Sequence, residues 1–221
     1  MKKNTAIAIM MFPMVLFCDL HIINQDLHIT KKVKSWIEFK NHNLVRQHYD
    51  YSCGSASLAT ILHYFYDQNI SEKIILKEIL NHKGINQRAK ELEHGEVALS
   101  FFELGEYAKT KGFKAMGLAL DLESLKKLKI PVVLFVKIRQ DEHFTVFRGV
   151  DSNYVYLADP SLGNIKVSLS KFKEMFYQRD DLKYPGKLLA ILPIDKNIKS
   201  NREFMKKEDS SNIIYKTILM E

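Results

Sequence analysis

A chain of 221 residues holds one compact domain and a short appendage at most. Its 46% hydrophobic and 11% aromatic content can bury a sizeable core, which excludes wholesale disorder, and 9 Gly with 5 Pro exclude collagen-like or low-complexity architecture. The net charge of +7 is spread over lysines that alternate with apolar residues, which describes a solvated surface and no nucleic-acid site.

The chain opens Met1-Lys2-Lys3 and continues with an apolar run from Ala6 to Phe17. That run is shorter than the roughly 20 residues of a comfortable membrane span. A charged start, an apolar middle and polar chain from Asp19 form the pattern of an export signal. Residues 1–18 are expected to be a signal peptide or amino-terminal anchor, and the protein to reside in the periplasm or cell envelope of a bacterium. Membrane contact would then run only through this segment, if it stays uncleaved. The two cysteines are Cys18 and Cys53. Removing the leader leaves Cys53 without an internal disulfide partner, either buried and inert or reactive.

Residues 19–43 read as a mixed extension, with a strand or short helix near Val33 to Phe39. A helix is expected from Cys53 to about Asp67, because Leu58, Ile61, Leu62 and Phe65 recur at helical spacing. Ser71 is placed to cap a second helix reaching Leu80. Residues 81–95 read as a loop, and a third helix runs from about Val97 to Lys111, ended by Gly112. Asp121 caps a short helix carrying Leu122, Leu125 and Leu128. The pattern then changes to strands: Val132 to Ile138, Phe144 to Val150, Tyr154 to Asp159, Ile165 to Leu169 and Leu188 to Ile194, with a short helix over Ser170 to Tyr177. Helices first and antiparallel strands afterwards make an α+β domain over 44–194. Residues 195–221 read as a charged tail.

Cys53 stands at the start of the first long helix, where unpaired N–H groups and partial positive charge favour a thiolate. A thiolate nucleophile needs a base, and of the eight histidines His143 is set apart. It follows the polar loop Arg139 to Glu142 and opens a strand. A three-residue hairpin loop at Asp151-Ser152-Asn153 would pair Val150 with Tyr154 and set Asp159 opposite Thr145, making His143 and Asp159 diagonal neighbours. Such an acid can hold the Nδ1–H tautomer. Gln47, on the loop before Cys53, could donate to an oxyanion together with the Cys53 N–H. No metal-ligand spacing occurs, and no cofactor is expected.

Gln47, Cys53-Gly54 and Ala56-Ser57-Leu58-Ala59, together with His143-Phe144-Thr145-Val146, Gly149-Val150 and Asp159-Pro160-Ser161-Leu162-Gly163, resemble the motifs of the bacteriocin-processing (double-glycine leader) cysteine peptidases. That resemblance spans about residues 44 to 194. It implies a papain-like α+β fold, with amino-terminal helices packed on a carboxy-terminal antiparallel sheet. It also implies Cys53 as nucleophile, His143 as base and acid, Asp159 as orienting group and Gln47 as oxyanion donor. Ser52 stands where many members carry an acidic residue. The expected substrate is a peptide or protein, such as a dedicated envelope or secreted protein. A non-hydrolytic peptide-binding or assembly factor, or a cell-wall amidase with the same Cys-His chemistry, stays open from the residues alone.

Overall fold

The computed structural model describes residues 19–24, 27–32, 35–84, 99–205 and 216–218. The expected leader with Cys18, the greater part of the expected 81–95 loop and the first residues of the helix expected from Val97 lie outside the described residues. The chain divides into Met1–Ser35 and Trp36–Glu221. In the first unit β1 (Asp19–Asn24) and β2 (Leu27–Lys32) pair antiparallel, from Asp19↔Lys32 to Asn24↔Leu27, where the sequence indicated only mixed chain.

The second unit runs α1 (Trp36–Lys40), α2 (Cys53–Thr60) continued by a π-turn (Ile61–Phe65), α3 (Glu72–His82), α4 (Phe101–Thr110), β3 (Phe113–Leu120), α5 (Leu122–Leu125), β4 (Val132–Ile138), β5 (Asp141–Val150), β6 (Tyr154–Asp159), β7 (Gly163–Ser168), α6 (Leu169–Phe176), β8 (Gly186–Pro193), a 3-10 turn (Arg202–Met205) and β9 (Lys216–Ile218). Helix starts follow capping chemistry. The side chains of Ser71, Asp121 and Ser168 accept from the backbone N–H three residues on, and Ser100 with Glu103 forms a reciprocal capping box. None of the described helices is long and apolar enough to cross a membrane.

The sheet order is β3-β8-β4-β5-β6-β7-β9, antiparallel except for the β7–β9 pair. Both faces of the sheet are covered, which explains why Val132 to Val136 is an unbroken apolar run and not an alternating one. Val133, Phe144, Val146, Ala158, Leu189 and Ile191 join residues of α2, α3 and α4 in one core. Val132, Leu134, Val136, Phe147, Leu157 and Leu188 join α5 and α6 in the other. Fully buried rings such as Phe65, Phe113 and Phe172 anchor these layers, each stabilising the fold by roughly 1.5–3 kcal/mol.

Strand β3 has no counterpart among the elements read from sequence. Apart from Phe113, its residues Lys114-Ala115-Met116-Gly117-Leu118-Ala119-Leu120 include no β-branched or aromatic side chain, and the ladder to β8 supplies the ordering that local propensity lacks. The tail expected from Asp195 is packed as far as Met205. The π-turn leaves the Tyr64 and Phe65 carbonyls to accept from Asn201, and Phe204 is fully buried behind it.

Candidate functional site

Cys53 is the first residue of α2 and its thiol is free and partly buried. No side chain caps this helix start, so the positive end of α2 is directed at the thiol's surroundings. The serine at the cap position is turned elsewhere: Ser52 Oγ meets Glu72 Oε1 and accepts from Tyr49 N–H at 3.1 Å. Gly54, the residue after Cys53, is closely packed. A Cβ there would lie 3.1 Å from Phe144 Cδ2 and 3.3 Å from Leu104 Cδ1, so the missing side chain lets α2 settle on β5 and α4.

His143 sits in β5, paired with Val136 of β4. The strand starts earlier than expected. Arg139 and Gln140 form a two-residue turn, with Arg139 at φ 59°, and Asp141 already pairs with Ile138. The β5–β6 hairpin also departs from the expected register. Val150 pairs with Val155 instead of Tyr154, so the connection is one residue longer than the three-residue loop. A bulge between Phe147 and Gly149 absorbs the extra residue and restores Val146↔Ala158, the register the shorter loop would have produced. His143 and Asp159 therefore meet: His143 Nε2 lies 3.0 Å from Asp159 Oδ2.

The ring nitrogen differs from the one expected. The carboxylate engages Nε2, so Nδ1 is the nitrogen left to meet the Cys53 thiol, which hydrogen-bonds the imidazole. Asp159 is fully buried, and its Oδ1 accepts from the N–H groups of Ser161 (2.9 Å) and Leu162 (2.8 Å). Burial alone lowers the His143 pKa. The charge and hydrogen bond of Asp159, followed by those of Cys53, outweigh it and push the imidazole up to about 10. Burial likewise raises Asp159, but the His143 charge and hydrogen bond and the two backbone donors hold it below the usual carboxylate range. The arrangement favours a protonated imidazole held between the Asp159 carboxylate and the Cys53 sulfur.

Gln47 lies on the segment leading to Cys53. Its side-chain N–H groups donate to the carbonyls of Tyr49 (3.1 Å) and Asp50 (3.4 Å), while Oε1 is buried without a hydrogen-bond partner. The same segment is tied to the loop after Asp159. Gln47 N–H donates to Pro160 O at 3.2 Å and Arg46 Nη2 to Ser161 O at 2.5 Å. The two motifs, far apart in sequence, thus share one backbone bond and one from the Arg46 side chain.

Glu72 is the site neighbour that the sequence did not reveal. It is 1% exposed, although it follows a cap serine at a helix start where acidic residues are ordinarily solvated. Arg148, at the bulge, is also buried, bonding Asn164 Oδ1 and Phe204 O at 3.0 Å each. Among the described residues no cluster of His, Cys, Asp and Glu could hold a metal.

A protein of Pseudomonas fluorescens described as "Probable functional amyloid protease FapD" is 35% identical over 144 residues, 65% of this chain and 61% of its own. Its Pseudomonas aeruginosa namesake is 32% identical over the same shares. The chain thus spans about three-fifths of the length of these curated relatives. A double glycine motif protease from an AMS/PCAT transporter, solved with its leader peptide, superposes with TM-score 0.52 at 22% identity, over 68% of this chain and 90% of its own. The peptidase domain of Streptococcus ComA does so with TM-score 0.50 at 22% identity, over 68% and 97%. Helices packed on an antiparallel sheet in this order make the papain-like fold of such domains. Residues 41–179 match the Peptidase C39 family, and the chain belongs to that family.

Proposed function

We propose that the protein is an exported cysteine peptidase that cleaves a polypeptide through Cys53, His143 and Asp159. The observation that carries this reading is the line of contacts from a helix-start thiol through one imidazole to a fully buried carboxylate. The Cys53 sulfur attacks the scissile carbonyl carbon, and His143 gives its Nδ1 proton to the departing amine, leaving a thioester. Water, deprotonated by His143 Nδ1, then displaces the sulfur and frees the acid product. Asp159 keeps the ring oriented and stabilises the imidazolium.

The Cys53 N–H and the Gln47 amide are the proposed donors to the oxyanion. Gln47 can serve by releasing the longer of its two loop bonds, the one to Asp50 O. The likeness to functional amyloid proteases favours a protein of a surface fibre or its export route as substrate. Residues 1–18 act as the export signal, on the pattern of charged start and apolar middle.

The test is peptide mass spectrometry of candidate fibre proteins incubated with the full chain and with Cys53→Ala. New termini are expected with the first and none with the second, and cleavage by Cys53→Ala would refute the nucleophile. Gln47→Ala should lower kcat by about 10- to 1000-fold, the range for loss of one oxyanion donor. Amino-terminal sequencing of the protein recovered from the cell envelope should begin near Asp19 or retain the anchor. A cytosolic protein starting at Met1 would refute export.

A further inference from the structure

We propose that Glu72 is a positioning residue for the Cys53 thiol: its buried carboxylate fixes the turn from His48 to Ser52 out of which the thiol-bearing helix starts. This inference rests on the reading of Cys53 as nucleophile and adds a residue that lies on another helix.

Three contacts converge on one carboxylate. His48 N–H donates to Oε1 at 2.8 Å, Ser52 Oγ–H donates to the same oxygen, and His48 Nδ1 faces Oε2 at 2.6 Å. The two anchored residues bracket the turn, and Ser52 immediately precedes Cys53. Ser52 is fully buried and Glu72 1% exposed, so water does not stand in for their contact; Ser52 Oγ–H also reaches Tyr49 O at 2.8 Å, and it is the joint hold on the Ser52 hydroxyl and the His48 N–H that the carboxylate supplies to the turn.

The arrangement also spares the start of α2. A serine before a helix ordinarily folds back to cap it. Here Ser52 Oγ is drawn to Glu72 and Tyr49, and the start of α2 carries no side-chain cap. The partial positive charge beside Cys53 is thereby left for the sulfur and for an incoming carbonyl oxygen. Ser52 directly precedes Cys53, so a shift of about 1 Å in the turn is passed on to Sγ, a displacement large enough to cost about 100-fold in a positioned reaction.

The experiment is alkylation of the full chain by iodoacetamide at pH 7, with labelling of Cys53 resolved from Cys18 by peptide mass spectrometry, beside a thermal melt of each protein. Glu72→Ala should remain folded at the assay temperature and label Cys53 at least tenfold more slowly. Glu72→Gln should stay within about threefold of wild type, because its oxygen still accepts from Ser52 and the His48 N–H while its amide takes the place of Oε2 beside the His48 ring. Ser52→Ala, which removes only one contact, should slow labelling about threefold or more and serves if Glu72→Ala does not fold.

Wild-type labelling rates in a folded Glu72→Ala, or in Ser52→Ala, would overturn the positioning role. Failure of Glu72→Gln to recover the rate would overturn it as well, since a group acting by geometry is replaced by its isostere. His143→Ala is the control for the reading beneath. If it labels as fast as wild type, the thiol–imidazole pair fails. If it labels slowly while Glu72→Ala does not, only the positioning role fails.

Discussion

Replacing Asp159 with asparagine is a sharper perturbation than removing the side chain. The Oδ1 of Asp159 is held by two backbone donors, Ser161 and Leu162 N–H. An asparagine keeps its oxygen on those donors and must turn its NH2 toward His143 Nε2, where an acceptor stood 3.0 Å away. A donor then faces a donor, and the ring can relieve the conflict only by losing its Nε2 proton. The raising of His143 from 6.5 to about 10 corresponds to on the order of 5 kcal/mol, supplied jointly by Asp159 and Cys53 against the cost of burial. Assigning half to Asp159 gives roughly 2–3 kcal/mol, about 100-fold in the rate at neutral pH. Asp159→Ala should lose that much, and Asp159→Asn as much or more, because it adds a wrongly placed donor. The assay is kcat/KM on a cleavable peptide together with the pH profile of Cys53 alkylation. The alkaline limb, near pH 10 in wild type, should move toward neutrality in both variants. An Asp159→Asn protein clearly more active than Asp159→Ala, or an unmoved limb, would refute the reasoning.

The same pair makes stability depend on pH. His143 is raised, so its contribution is complete below 6.5 and is lost as pH climbs through about 10. Asp159 is lowered, so its contribution is present above 3.8 and is lost as pH falls through its depressed value. The difference in melting temperature between wild type and Asp159→Asn should therefore be widest near pH 4–6.5 and shrink toward pH 10. A difference constant across that range would show that the pair contributes nothing to folding. At Gly54, valine would press on Phe144 and Leu104. Overpacking of this kind costs about 1–3 kcal/mol, which chemical denaturation would detect as a lower midpoint at unchanged slope, whereas an unchanged midpoint would mean the contact yields freely.

Much of this molecule was legible in its sequence, element by element. Helical spacing located α2, and Ser71 and Asp121 mark helix starts that the structure repeats with side-chain caps, whereas the third helix, expected from about Val97, starts at Phe101 behind the Ser100 cap. The apolar stretch at Val132 announced a strand covered on both faces. What escaped did so for physical reasons. Strand β3 owes its existence to a partner far along the chain. The hairpin register at Asp159 came out as expected by compensation, a longer connection cancelled by a bulge, and no residue pattern distinguishes that from a shorter loop. The ring nitrogen engaged by Asp159 depends on the direction from which the acid approaches, which spacing does not encode. Glu72 looks like any acidic residue in the first turn of a helix. Only its burial, which follows from how α3 lies against the turn before Cys53, sets it apart.

The bonds from Gln47 to Pro160 and from Asn201 to Phe65, with Phe204 sealed inside, tie early segments of the second unit to segments far along the chain. A nascent chain therefore cannot complete this architecture until residue 204 has left the ribosome.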